Sequence, residues 1–337
     1  MKSMNIMFYE GEKVKLSEES VASPGENEVL CKAKKSLISI GTETLCLRGI
    51  FDNGTNWKDW VKWPFNAGYS MSGEVIEVGE KVDKVKVGDR VAVTTPHQQY
   101  FVANQDDVHI LPEEINHEEG TWMSLACTTQ LGVRRADLEM GEMVGIVGMG
   151  MLGQLVAQYL RLSGARKIIA IDPVQKRLDI AKKSGATHAL SLDVKSSEEQ
   201  ISEITGGRML DVVYDITGRP DVLASCIPLV RKLGRVVLLG DTTIPTQQYL
   251  GPGVVFKSIS ILGVHAFVRP DVATIYNPWT YKEMTLLFFE YLMQGKMNVK
   301  ELITHKFSPE QAPSVYGKLL VDRADSIGVI FDWDLLK

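Results

Sequence analysis

The run Gly148-Met149-Gly150-Met151-Leu152-Gly153 constrains this chain more than any other feature. It follows a short apolar stretch, Met143–Val147, and opens a second one, Met151–Leu162, whose spacing predicts a helix. Glycines at these three places meet separate needs. The first permits the tight turn, the second lets the backbone approach a pyrophosphate, and the third lets helix and strand pack closely. The helix N-terminus then offers free N–H groups and the positive end of its dipole to the phosphates. Asp172 follows the next predicted strand, Lys167–Ile171, 19 residues after Gly153. A carboxylate there accepts hydrogen bonds from ribose hydroxyls and repels a 2′-phosphate, which reads as NAD rather than NADP. Arg177, on the predicted helix Val174–Ser184, is placed either to stack on an adenine or to face solvent.

The surroundings fit this turn. Further strands are predicted at His188–Leu192, Asp211–Asp215, Arg235–Leu239 and Ser258–Val264, with helices at Glu198–Thr205 and Asp221–Leu233. Such alternation implies an α/β fold with a doubly wound Rossmann parallel sheet. Ligands of such sheets sit at the carboxyl ends of the strands, so Thr217, Gly240, Asp241, Val264 and His265 join Met151 and Leu152 as candidate cofactor contacts. The first 120 or so residues read differently. Short runs at Val29–Ala33, Ser72–Val78, Arg90–Val93 and Gln99–Val102, separated by turns, suggest a small β-rich barrel or sandwich. Glu118–Ala136 has helical spacing. After Val264 come a helix at Tyr281–Met293, another within Phe307–Leu320 and a last strand at Ser326–Phe331. The expected organisation is a β-rich domain over residues 1–123, a nucleotide domain over 124–271, and a return to the first domain over 272–337.

Composition removes several classes. Lys plus Arg number 37 against 42 for Asp plus Glu, a net charge of -5 that argues against nucleic acid as partner. No stretch is apolar enough to span a membrane, and the N-terminus lacks a signal peptide's apolar core. Cys31, Cys46, Cys127 and Cys226 are scattered without a C-x-x-C pair, as expected of reduced thiols in a cytoplasmic protein.

Three motifs in order carry a resemblance: Gly73-Glu74-Val75-Ile76-Glu77-Val78-Gly79, then Val87-Gly88-Asp89-Arg90-Val91, then Gly148–Gly153. The chain resembles the medium-chain dehydrogenase/reductase superfamily, whose zinc-type alcohol, sorbitol and threonine dehydrogenases join a GroES-like catalytic domain to a Rossmann domain. The resemblance implies an oxidoreductase acting on an alcohol. The zinc pattern of that family falls here on Ile40-Gly41-Thr42-Glu43, on Gly68-Tyr69-Ser70 and near Ser124, none of which makes a zinc site. No metal is therefore expected. Ser39–Thr44 with Gly68-Tyr69 is similar to a zinc-less branch related to bacteriochlorophyllide a dehydrogenase and to glycoside 3-dehydrogenases.

Without zinc, a side chain must take the alcohol's proton. Thr42 matches the family position that relays it. Tyr69 stands where a zinc-binding histidine would be, His97 lies where the family lines its substrate pocket, and Glu43 matches an acid that orients a ligand. The expected path is Thr42 with His97 or Tyr69, supported by Glu43. Trp57, Tyr276 and Trp279 are candidate substrate contacts, since aromatic faces beside polar groups suit sugars and polyols. The leading expectation is NAD-dependent oxidation of a secondary hydroxyl of a sugar, glycoside or cyclitol. The alternatives are oxidation of a hydroxyethyl group on a larger, chlorin-like ring, a quinone or enoyl reductase, and a non-catalytic NAD(H)-binding protein. Ser258–Leu262 reads as an edge strand, from which the resemblance implies a homodimer or homotetramer.

Overall fold

The structure, a computed structural model, describes all 337 residues. It divides into two compact units. One comprises Met1–Leu125 with Thr285–Lys337, the other Ala126–Met284. The expected division after residue 271 thus falls inside the second unit. The Arg134 guanidinium stacks over the Trp279 ring, 3.3 Å from its centroid, and Gln130 Nε2 donates to the Met284 carbonyl at 3.1 Å. These contacts hold residues 272–284 to the nucleotide side.

The second unit is built on six parallel strands. Their spatial order is His188–Leu190, Lys167–Ile171, Met143–Val147, Leu210–Asp215, Val230–Leu238, Ser260–Gly263. The central strands Met143–Val147 and Leu210–Asp215 are buried at every residue, as a parallel sheet covered on both faces requires. Ile171, Val147, Asp215, Leu238 and Gly263 lie side by side in register. The loops that follow them therefore share one edge of the sheet. The helix expected over Asp221–Leu233 is not formed as such. An α-turn at Leu223–Cys226 runs into a 3₁₀ turn at Ile227–Leu229, and a strand already begins at Val230. Pro228 has no N–H to donate to a continuing helix.

The first unit holds a sheet containing Glu28–Leu37, Met71–Val78, Arg90–Val93, Tyr100–Asn104, Val108–Ile110, Ile303–Phe307 and Gly328–Asp332. A smaller sheet contains the hairpin of Lys2–Tyr9 and Lys13–Ser20, which sequence reading passed over. The helix expected across Glu118–Ala136 is two helices, His117–Gly120 and Met123–Arg135, the first closed by a capping box between Asn116 and Glu119. The helix expected within Phe307–Leu320 is Ala312–Val321, and Phe307 ends the strand before it. A further unanticipated helix, Ile40–Arg48, ends on Gly49 in the left-handed conformation. Phe8, Tyr316 and Phe331 form the packed centre beneath it, with Phe8 and Tyr316 edge to face at 4.8 Å. No helix of the chain is long and apolar enough to cross a membrane.

Candidate functional site

The nucleotide turn is built by backbone necessity. Gly148 has φ +97°, a conformation side chains resist, and a Cβ on Gly153 would stand 2.1 Å from the Gly148 carbonyl oxygen. Gly150, by contrast, faces open space, with no heavy atom within 4 Å of a Cβ built there. Asp172 is only 4% exposed. Its Oδ2 accepts from the Met149 amide and its Oδ1 from the Val174 amide, each at 2.8 Å, and Arg177 Nη1 lies 3.8 Å from Oδ2. Sequence reading missed Gln154. Its Nε2 donates to the Met149 carbonyl at 3.1 Å and the Arg177 carbonyl at 2.9 Å, tying the phosphate turn to the helix beside it. The Met149 peptide is thus held at both its N–H and its C=O.

Along the same edge, the buried Asp215 accepts at Oδ1 from both the amide and the hydroxyl of Thr217, at 3.0 and 2.8 Å. Burial pushes the Asp215 carboxyl up to about 6, against the opposing effect of those two bonds. Gly240 donates its amide to the Asp215 carbonyl and Val264 to the Leu238 carbonyl, each at 3.0 Å. Asp241 and His265 are exposed, and Met151 is buried. The edge therefore carries Gly148, Gly150, Asp172, Thr217, Gly240, Asp241, Val264 and His265 in one row of loops, which suits a dinucleotide laid across the strand ends.

The polar cluster of the first unit centres on Glu43, which is 1% exposed. Its Oε1 accepts from the Ser39 amide at 2.6 Å; its Oε2 meets His97 Nε2 at 3.0 Å and accepts from the Tyr316 hydroxyl. His97, fully buried, spends its other nitrogen on Ser36 Oγ at 2.8 Å, and Ser36 in turn accepts from Trp333 Nε1 at 2.9 Å. Both nitrogens of His97 are thereby engaged inside the protein. Tyr69 donates its hydroxyl to Ser39 Oγ at 2.5 Å and lies 3.3 Å from Thr42 Oγ1. Burial, with the nearby Glu43 carboxylate, pushes the Tyr69 phenol up to about 12, although its bonds to Ser39 and Thr42 pull the other way. Thr42, Glu43, Tyr69 and His97 do stand together, but Ser36, Ser39, Tyr316 and Trp333 complete the cluster. Ser39 stood in the Ser39–Thr44 run that carries the resemblance, without a role of its own. Tyr316 and Trp333 carry no local signal, since they come from the end of the chain.

The aromatic candidates separate. Trp57 is 6% exposed and stacked on Phe51 at 6.4 Å, so its ring is committed to packing. The Arg134 guanidinium covers a face of Trp279, whereas Tyr276 is 90% exposed. Two side chains on the zinc pattern are also committed or unsuited. Ile40 is an alkane, and Ser124 Oγ bonds to Thr94 Oγ1 at 2.9 Å and the Tyr69 carbonyl at 3.1 Å.

Comparison with known proteins agrees with this architecture. Residues 32–157 match the family model of the alcohol dehydrogenase GroES-like domain, and residues 152–279 that of the zinc-binding dehydrogenases. The chain is 27% identical to the sorbitol dehydrogenase of Bacillus subtilis over 311 residues, covering 83% of this chain and 84% of that one. It is 27% identical over 256 residues to the D-guloside 3-dehydrogenase of Shigella flexneri, covering 75% and 73%. The fold superposes on galactitol-1-phosphate dehydrogenase from Escherichia coli with a TM-score of 0.79 at 19% identity, covering 98% and 100%. The zinc implied by one family name does not fit these side chains, because no three His, Cys, Asp or Glu residues are grouped to hold a metal ion. The order of domains, the glycine turn at the sheet edge and both matched models agree: the chain belongs to the medium-chain dehydrogenase/reductase superfamily.

Proposed function

We propose that this protein oxidises a secondary hydroxyl of a sugar, glycoside or cyclitol to the ketone, reversibly, with NAD and without a catalytic metal. The observation that carries this reading is the hydroxyl line Thr42–Tyr69–Ser39, set where the zinc pattern falls and backed by the buried Glu43. Names of relatives support the substrate class: a sorbitol dehydrogenase and a D-guloside 3-dehydrogenase both act on carbohydrate hydroxyls.

Gly148, Gly150, Gly153 and the N-terminus of the Met151–Leu162 helix would hold the pyrophosphate, and Asp172 a ribose. Asp172 favours NAD because its carboxylate repels a 2′-phosphate. When bound, the cofactor supplies the hydride acceptor. The chain supplies the route for the proton. A threonine hydroxyl donates and accepts at once, so Thr42 takes the substrate's proton while passing its own to Tyr69. The phenol, pushed up to about 12, stays protonated at neutral pH: as it receives a proton from Thr42 it passes its own to Ser39 Oγ, and the Ser39 hydroxyl gives up its proton toward solvent. One alcohol and one NAD⁺ give one ketone, one NADH and one proton released to solvent. His97, sealed between Glu43 and Ser36, serves to hold the carboxylate.

The same reading includes self-association. Ser260–Gly263 pairs on one side only, with Val230–Leu238, and its free edge suits a second copy across a two-fold axis in a homodimer or homotetramer.

The test is turnover on a panel of glycosides, polyols and cyclitols, with NAD and NADP in parallel. Ketone formation with NAD, lost by about 10²-fold or more in Tyr69→Phe, is the expected result. Preference for NADPH with an enoyl or quinone substrate would overturn it. Turnover confined to a chlorin hydroxyethyl group, or NADH binding with no turnover at all, would overturn it as well.

A further inference from the structure

We propose that Ser39 is the positioning residue that aims the Tyr69 hydroxyl, and that its side chain serves this role in place of helix capping. The inference rests on the proton route just described and adds a residue to it.

Ser39 occupies the N-cap of the helix Ile40–Arg48. A serine there ordinarily accepts from the N–H of the second or third helical residue. This one makes no side-chain cap bond. Its hydroxyl accepts from Tyr69 at 2.5 Å instead, while its own N–H is taken by Glu43 at 2.6 Å. The backbone of Ser39 is thereby pinned by a buried carboxylate that His97 and Tyr316 also hold, and the hydroxyl is fixed with it.

The consequence is directional. Because Tyr69 gives its proton to Ser39, the lone pairs of the phenol oxygen remain for Thr42 Oγ1, 3.3 Å away. Thr42 then donates to Tyr69, and its own lone pairs are left for a substrate hydroxyl. Without Ser39 the phenol proton can turn toward Thr42, and the line loses its sense. Ser39 is buried, so little water stands ready to replace its oxygen.

The test compares full-length Ser39→Ala, Ser39→Thr and Tyr69→Phe on a substrate the panel identifies. Ser39→Ala is expected to lower kcat by about 10-fold or more, with KM changed by less than about 2-fold. Ser39→Thr, which keeps the hydroxyl, restores the rate. In the Tyr69→Phe background, Ser39→Ala adds nothing further. A second readout needs no turnover. In protein labelled with 3-fluorotyrosine, the Tyr69 resonance, identified by its loss in Tyr69→Phe, moves in Ser39→Ala and returns in Ser39→Thr. Wild-type kcat with an unmoved Tyr69 resonance in Ser39→Ala overturns the proposal, as does a rate loss additive with Tyr69→Phe. Full turnover in Tyr69→Phe overturns the proton route itself and this proposal with it. A dead Tyr69→Phe beside a fully active Ser39→Ala overturns the role of Ser39 alone.

Discussion

Glu43→Ala removes the acceptor that three buried donors share: the Ser39 amide, His97 Nε2 and the Tyr316 hydroxyl. A buried donor left without a partner costs about 1–3 kcal/mol, so the three together set a range of about 3–9 kcal/mol. Side chains relax and water enters, which places the expected loss near about 3–5 kcal/mol, a large part of a typical total of about 5–15. Glu43→Gln should behave differently. Its amide oxygen still serves the Ser39 N–H. Its NH₂ then faces the Tyr316 oxygen and His97 Nε2, and His97 responds by carrying its proton on Nδ1. That proton is donated to Ser36 Oγ, which has a second lone pair beside the one taken by Trp333. The expected cost is only about 1–2 kcal/mol. Urea unfolding of both variants at pH 7.5 gives the stabilities, and ¹⁵N shifts of the His97 ring report the tautomer. A Glu43→Ala loss under about 1 kcal/mol would refute the reasoning. So would a Glu43→Gln protein as unstable as the alanine variant, or one with an unchanged His97 tautomer.

Other consequences are as direct. Gly153→Ala drives a methyl into the Gly148 carbonyl and should cost about 1–3 kcal/mol while abolishing NADH binding in a fluorescence titration. Gly150→Ala, facing open space, should change stability by less than about 0.5 kcal/mol yet weaken NADH binding; equal effects from the two would contradict the turn's assignment. Burial holds the Asp215 carboxyl up at about 6, so the native state keeps this proton more tightly than the unfolded chain does, and stability from this group falls as pH rises from about 4 to about 6. Asp215→Asn, which can still accept from Thr217, should match the wild type near pH 4 and exceed it by about 2–3 kcal/mol above pH 7; a difference constant across pH would contradict the burial argument. Ile261→Lys on the free edge strand should shift sedimentation at micromolar concentration from dimer toward monomer, and a wild type that is already monomeric would remove the pairing.

What the sequence made legible was what it encodes locally. The glycine turn, the strand before it, the helix after it and Asp172 lie within one βαβ unit, and short-range periodicity is enough to place them. The strand ends that line the sheet edge followed from alternation alone. The helix Ile40–Arg48 escaped because Gly41 and two threonines mask its periodicity, and the hairpin Lys2–Ser20 because charged residues stand on both faces of its second strand. The segment Asp221–Leu233 misled because its helical spacing continues past Pro228, where the backbone cannot. In the polar cluster, Thr42, Glu43, Tyr69 and His97 could be guessed from their positions in motifs. Their arrangement could not be. Tyr316 meets Glu43 across 273 residues of sequence and Trp333 meets Ser36 across 297, contacts that only tertiary packing creates. The same packing turned Trp57 from a candidate binding face into part of an aromatic stack.

Turnover after exhaustive chelation, with zinc content measured on the same sample, bears on the central claim most directly. Protein freed of divalent metal should oxidise its sugar or cyclitol substrate with NAD at an undiminished rate, and added zinc should not raise it. Activity that disappears with the metal and returns in proportion to zinc bound would contradict a proton route made of Thr42 and Tyr69.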